Sequence, residues 1–410
     1  NNSINNIFNE IDELIKNKKK LKDLQKSSYK NFYLTNKYIS KKIDSYRLKL
    51  SSKKLNLTSS RLLKSKLKIM HITNFNERHN GRLFYNTGKR INNGLVRLGH
   101  SVLEFSDRDI LSNNRKLSDL NGADFLNKKL LNVIGNYAPD LIVLGHADLI
   151  NIKTLKIIKK YYPETKITQW FLDRMDSEWI NNKSRFLKKI DIMDSNFCTT
   201  DPTSLKHSKK YPIYYLPNPV DKSFETLKNY ENKDLKNDVF FAMSHGVHRG
   251  VLKKGKFDKR ELFLKKLTNK LPNIKFDIYG AENKEPIWAD NFIKVLSQSK
   301  IALNLSQGKP SKYYTSDRFA QLIGNGLLVL IDKKISYNNL FNSNEIISYR
   351  NLKDLTNKIE MYANNDKLRQ KIAKNGRNKY FKYFNSTVIA EYIINKTFNI
   401  KKKYYWEDKL

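Results

Sequence analysis

Two sets of polar residues in this chain could do chemistry together. The first follows apolar, strand-like segments: His146 and Asp148 after Asp140-Leu-Ile-Val-Leu-Gly-His146, Asp173, Arg174 and Asp176 after Lys166-Ile-Thr-Gln-Trp-Phe-Leu172, and Asp201 after Phe197-Cys-Thr-Thr200. Carboxylates placed this way can take a proton from a hydroxyl, and parallel strands bring such ends to one edge of a sheet. The plain alternative for each Asp is a helix N-cap after a strand. The second set lies within residues 299–331. Ile301, Leu303 and Leu305 alternate as in a strand, Leu327 to Ile331 is the apolar run of a strand covered on both faces, and a small, basic and aromatic loop lies between. Thr315 and Ser316 are placed to cap a helix whose Phe319, Leu322 and Ile323 share one face, with Gly324 or Gly326 closing it. A helix start at the carboxyl end of a parallel strand can hold a phosphorylated ligand. Periodicity alone also fits an ordinary strand-to-helix turn.

From Leu67 onward the pattern predicts alternating strands and helices. Strands are expected at Leu67 to Thr73, Ser101 to Ser106, Asp140 to His146, Lys166 to Leu172, Phe197 to Thr200 and Ile213 to Leu216, with a helix from Tyr85 to Leu98. No GxGxxG follows the first strand, which argues against a dinucleotide-binding dehydrogenase. Leu216-Pro-Asn-Pro-Val-Asp221 then fixes the backbone at a domain boundary. A second series begins with Asp238-Val-Phe-Phe-Ala-Met243, continues through a helix at Arg260 to Leu271 and a strand at Lys275 to Gly280, and reaches the central stretch. Residues 1–65 differ in character. Ile4, Ile7, Ile11, Leu14, Leu21 and Leu24 recur at helical spacing, interrupted by Lys18 to Lys20, and a second, more aromatic helix is expected around Tyr29 to Leu50. That arm reads either as a membrane-surface or oligomerisation element or as a helix packed on its neighbour. The tail from Lys401, with Tyr404, Tyr405 and Trp406, could touch a membrane surface or fray.

Composition bounds the classes. A chain of 410 residues exceeds one ordinary core, so two domains plus an appendage are expected. The formal net charge of +38 is spread along the chain, with +11 in the first 65 residues. It is read as solvated surface, with attraction to an anionic membrane face as a by-product. No helical segment shows clustered base-reading arginines and no aromatic stacking motif interrupts a basic groove, so nucleic acid is not an expected partner. A single cysteine, Cys198, excludes a disulfide framework and a multi-thiolate metal site and fits a reducing compartment. His245-Gly-Val-His248 lacks partners for a metal, so none is expected. No apolar run approaches the roughly 20 residues that span a bilayer, and no signal peptide is visible, which points to a cytoplasmic protein, peripheral at most on the inner membrane face.

Several of these segments carry a resemblance. Helix, Leu98-Gly-His100, Ser101-Val resembles the opening of the N-terminal domain of two-domain GT-B glycosyltransferases. Pro217-Asn-Pro-Val-Asp221 and Ser316-Asp-Arg318, with Gly326-Leu-Leu-Val-Leu330, resemble the hinge and donor-binding segment of the glycosyl transferases group 1, particularly the CgeB-like branch. The resemblance, over roughly Leu67 to Ile400, implies an α/β fold of two Rossmann-like domains (GT-B), to which the helical spacing of residues 1–65 adds an N-terminal α-helical extension. Its domains would be 1–65 (basic helical extension), 66–221 (acceptor domain), 222–385 (nucleotide-sugar donor domain) and 386–410 (C-terminal helix and basic, aromatic tail). It implies a metal-independent glycosyltransferase that uses a nucleotide-sugar as substrate, needs no separate cofactor, and serves a glycan, lipid-linked or protein acceptor, as in cell-surface polysaccharide synthesis. The alternative is a non-catalytic scaffold of the same fold. By the same resemblance, Arg249 and Lys254 would meet the diphosphate, Ser311, Tyr314, Ser316, Asp317 and Arg318 the donor phosphate and sugar, and Gln321 the ribose. Asp173 and Asp176 would be the base candidates, with His146 and Arg174 on the acceptor side. The family pattern expects acids where this chain has Tyr313 and Gln321. A Gln can still hydrogen-bond a ribose hydroxyl, without charge.

Overall fold

The computed structural model describes residues 4–35, 38–43, 45–46, 66–115, 119–120, 122–205, 210–244, 258–282 and 284–410. The chain divides into two compact units, residues 1–61 and 62–410. In the first, α1 (Ile4–Lys16) and α2 (Lys18–Asn31) are separate helices. The break falls at Asn17, whose side chain accepts from the Lys20 N–H and caps α2. An Asn that offers its oxygen to the next turn competes with helix continuation. The apolar stripe expected to run through to Leu24 is therefore cut, and α2 ends at Asn31, inside the span expected for a second helix. Residues 38–43 are helical again, and 47–50 lie outside the described residues.

The larger unit is built on two parallel sheets, one per domain. In the first domain β1 (Lys68–Thr73), α3 (Thr87–Arg97), β2 (Ser101–Ser106), α4 (Asp107–Asn113), α5 (Ala123–Tyr137), β3 (Leu141–Gly145), α6 (Ile152–Tyr161), β4 (Lys166–Phe171), α7 (Ile180–Leu187), β5 (Ser195–Cys198) and β6 (Ile213–Tyr215) alternate. The strand order is β2-β1-β3-β4-β5-β6. The second domain contributes β7 (Asn237–Ala242), α8 (Lys259–Lys270), β8 (Phe276–Tyr279), α9 (Ala289–Leu296), β9 (Ser299–Asn304), α10 (Arg318–Gly324), β10 (Leu328–Asp332) and β11 (Ile347–Tyr349). Its order is β11-β10-β9-β7-β8, and every pairing is parallel.

Side-chain alternation explains why these runs are strands. Met70, Ile72, Ile142 and Leu144 enter the core on one face of the first sheet, while Ile69, Leu141 and Val143 enter a different core on the other. The second sheet repeats this with Phe241, Leu303 and Leu330 against Phe240, Ala302 and Ile331. Both faces are covered by helices, so the strands read as nearly continuous apolar runs. After α10 the chain turns through Gly326 at a φ of 82°, a conformation glycine adopts without steric cost.

After α11 (Leu352–Ala363) and α12 (Asp366–Tyr383), helix α13 (Ser386–Thr397) packs on α3 of the first domain. The tail beyond it neither frays nor offers its large rings to a surface. Tyr404 and Trp406 are buried, and Trp406 stacks on Phe384 with ring centroids 5.6 Å apart. Burial of two large aromatic rings outweighs the entropy of a free end. Among the described residues no helix is long and apolar enough to cross a membrane.

Candidate functional site

Counted from its own first strand, the strand order of each sheet reverses between its first and third strands: β1 and β3 in one domain, β7 and β9 in the other. Loops leaving such a switch point diverge and leave a crevice at the carboxyl ends of the strands. A cavity of about 280 Å³ lies there. The first domain supplies Arg82, Tyr85 and Asn86 to its wall, and the second supplies the end of β7, Ile287, Trp288, Asp317, Arg318 and Gln321. Two contacts tie the walls together: the Tyr85 hydroxyl donates to Asp290 at 2.7 Å, and the Arg82 guanidinium lies 5.1 Å over the Trp288 ring.

Arg318 is the electrostatic centre of this wall. Its Nη1 donates to the Leu305 carbonyl at 3.2 Å, and its guanidinium lies 5.3 Å over the Phe241 ring. No carboxylate is within ion-pair distance of it among the described residues, whereas neighbouring Arg260 is paired with Asp258 at 2.7 Å. Burial, with Arg260 nearby, pulls the Arg318 pKa down to about 10. It still carries its charge at neutral pH, so a fixed, poorly compensated cation faces a cavity. Beside it, Gln321 Nε2 donates to the Asp317 carboxylate at 3.3 Å.

The expected caps of α10 are not used. The N-cap is Asp317, without a side-chain capping bond. Thr315 is buried, with its hydroxyl 3.0 Å from that of Tyr337, because a tertiary partner in an aromatic cluster satisfies it better than the helix start. Tyr313, where the resemblance expects an acid, has a left-handed backbone (φ 58°) and turns into the core, where its hydroxyl accepts from Asn339 at 2.7 Å.

Across the crevice, Asp173 is held by Arg185 at 3.3 Å and stands 3.7 Å from His146 Nδ1. His146 Nε2 accepts the Leu172 N–H at 2.8 Å, which leaves the proton of a neutral ring on Nδ1, toward Asp173. Burial lowers the His146 pKa, and the ring stacks on Phe171 at 4.1 Å. Asp176, by contrast, is engaged by the buried Arg174. Arg174 also reaches the other domain, donating to the Gln307 carbonyl at 3.1 Å. Tyr314 lies where the two sets meet, in the fields of Asp173 and Arg174 on one side and Asp317 and Arg318 on the other. Burial, the largest influence, raises its pKa, so the phenol stays a donor.

Of the residues singled out by sequence, Asp317, Arg318 and Gln321 line the cavity, while Tyr314 stands in the fields of Asp173, Arg174, Asp317 and Arg318, and His146 lies 3.7 Å from Asp173, with Tyr314, Asp173, Arg174 and His146 all outside the lining. Ser311 and Ser316 do not line the cavity, and Ser311 only accepts the Tyr314 N–H through its carbonyl at 3.2 Å. Arg249 and Lys254 lie outside the described residues. Arg82, Tyr85, Trp288 and Asp290 were missed. The usable signal was Pro286-Ile-Trp288, an apolar and aromatic cluster in an otherwise polar loop after β8. Among the described residues no group of three or more His, Cys, Asp or Glu side chains gathers as metal ligands would.

Comparison with known proteins bears on the fold and on the second domain. Residues 259–395 match the family model described as glycosyl transferase-like. No curated protein sequence matches the chain. Among solved structures, the sucrose-phosphate synthase of Thermosynechococcus elongatus aligns over 82% of this chain and 100% of its own, with 10% identity and a TM-score of 0.51. AviGT4, a glycosyltransferase involved in avilamycin A biosynthesis, aligns over 82% and 98%, with 11% identity and a TM-score of 0.51. Anabaena Alr3699/HepE in complex with UDP aligns over 81% and 100%, with 10% identity and a TM-score of 0.49. The chain has the GT-B fold, and residues 259–395, within its second half, are similar to the glycosyl transferase-like family.

Proposed function

We propose that the protein is a glycosyltransferase that moves a sugar from a nucleotide-sugar donor to an acceptor hydroxyl in the crevice between its domains. The observation that carries this reading is Arg318, a half-buried cation without a carboxylate partner among the described residues, at the carboxyl edge of a parallel sheet. As the glycosidic bond to the donor breaks, negative charge accumulates on the departing diphosphate, and a preorganised guanidinium stabilises it without reorganising. The base would lie against Ile287 and Trp288, and the Asp317–Gln321 pair would meet the ribose hydroxyls. With Tyr313 turned into the core, Tyr314 supplies the hydroxyl nearest the sugar. Both carboxylates are ion-paired, but Asp173 is the better base, because its side chain is 46% exposed and its pairing with Arg185 is looser, whereas Asp176 is 19% exposed and tied to the buried Arg174. His146 and Arg185 orient Asp173, and Arg174 fixes the closed arrangement of the domains. The reading assigns no metal and no cofactor beyond the nucleotide-sugar. The acceptor is a glycan or lipid-linked sugar, and Ser316-Asp-Arg318 with Gly326-Leu-Leu-Val-Leu330 supports an affiliation with the CgeB-like branch. A net charge of +38 favours peripheral contact with an anionic membrane face.

The test is a screen of UDP-, GDP-, dTDP- and ADP-sugars for thermal stabilisation. One or more should raise the melting temperature as mass action requires, and Arg318→Met should abolish the rise. No stabilisation by any nucleotide would overturn the reading. A second reading, a scaffold that binds without turnover, is favoured by the loss of both acids at Tyr313 and Gln321. It predicts nucleotide binding with no nucleoside diphosphate release.

A further inference from the structure

A second cavity, of about 650 Å³, opens beside the first. It sits at the carboxyl ends of β9, β10 and β11 and is closed by Glu178 and Trp179 of the first domain. Arg318 links the two cavities: it lines the first, and the Leu305 carbonyl to which it donates belongs to a residue lining the second. The closure is bonded across the domains, from Arg174 to the Gln307 carbonyl at 3.1 Å and from the Lys309 N–H to Glu178 at 3.4 Å.

The wall has a distinctive chemistry. Among the described residues, three acids, Glu178, Asp258 and Asp332, stand with three bases, Lys259, Arg260 and Lys309. Among the described lining residues there is thus no excess of positive charge to draw a phosphate or polyanion. Trp179, Phe263 and Tyr349 add aromatic surface, while Asn304, Ser306 and Gln307 add neutral hydrogen-bonding groups. Two buried donors in this wall, the Trp179 indole N–H and the Asn304 amide, have no partner among the described residues. The volume lies within the roughly 300–1,000 Å³ of small-molecule sites. Aromatic faces, neutral polar groups and no net charge match a ligand with apolar C–H faces and a rim of hydroxyls.

We propose that this second cavity is a saccharide subsite holding the uncharged sugar of the acceptor next to the donor. The assignment rests on the donor reading above for its role, but not for its existence. Its position places an acceptor sugar along the same edge as Arg318 and makes its grip depend on closed domains.

The test is saturation-transfer NMR on the full chain without nucleotide, using methyl glycosides and disaccharides of glucose, galactose, mannose and N-acetylglucosamine. At least one should bind in the millimolar range and persist when a nucleoside diphosphate is added. Trp179→Ala and Gln307→Ala should each weaken it about tenfold, and Trp179→Phe should retain most of it. The Gln307 side chain is exposed, so its truncation tests the site without threatening the fold. If no saccharide binds while a nucleotide-sugar stabilises the chain, the subsite is overturned and the donor reading stands. If saccharides bind and no nucleotide does, the subsite stands and the donor reading falls. Displacement of the sugar by the nucleoside diphosphate, or unchanged affinity in both truncations, overturns the subsite.

Discussion

Replacing Arg318 by methionine separates a ligand-binding cation from a structural one. In the folded chain its guanidinium falls from its ordinary 12.5 to about 10, through burial first and Arg260 second. That depression corresponds to a cost to the folded state of about 3 kcal/mol at neutral pH, of which partial exposure leaves about 1–2. Because the folded-state value is lowered, the charged form is disfavoured at every pH below about 10, and relief comes only between about 10 and 12.5. Arg318 therefore adds no pH dependence to stability between pH 5 and 9. Methionine removes the charge and keeps most of the packing, but gives up the bond to the Leu305 carbonyl, worth about 1–2 kcal/mol. The two effects nearly cancel, so the unliganded variant should unfold within about 1 kcal/mol of the parent in a urea titration. Nucleotide-sugar affinity should fall about 10- to 150-fold, the equivalent of about 1.5–3 kcal/mol for hydrogen bonds to a charged group. Arg90 is the control. It is fully buried against Glu225, and Arg90→Met strands that carboxylate, with an expected cost of about 3–5 kcal/mol. A large stability loss in Arg318→Met with unchanged nucleotide affinity would refute the assignment of Arg318 to the ligand.

Three further outcomes follow from the geometry. Asp173→Asn should lower turnover by about 100-fold or more with donor affinity unchanged, whereas Asp176→Asn should act mainly by loosening Arg174 and raising KM; steady-state kinetics with separate donor titration distinguishes them. Gly145→Ala places a Cβ 2.0 Å from the Trp170 ring, which would have to leave its bond to His71, so a loss of about 1–3 kcal/mol is expected in chemical denaturation. Burial raises Asp107 from 3.8 to about 6, so its charged form burdens the folded state above pH 6 and is relieved as pH falls toward 4. Asp107→Asn should then be more stable than the parent by about 2–3 kcal/mol at pH 8, with the difference vanishing near pH 4; a constant difference across that range would contradict the account.

The sequence alone determined the local periodicities. Short, nearly continuous apolar runs such as Ile69 to Ile72 and Val239 to Phe241, separated by turn residues, read as strands covered on both faces, because successive side chains point to opposite faces and both must be apolar. It also carried the polar residues at the strand ends, since that signal is local. Tertiary structure alone decided which polar residues are free to act. Thr315 looked like a cap until Tyr337 took its hydroxyl, Asp176 matched Asp173 until Arg174 engaged it, and Tyr404 and Trp406 looked like a loose end until Phe384 and Tyr392 covered them. Arg82, Tyr85, Trp288 and Asp290, more than 200 residues apart, meet only because two switch points face one another. Nothing in the spacing of a linear chain reports such a meeting, for Tyr85 finds Asp290 and Arg82 finds Trp288 in a different domain.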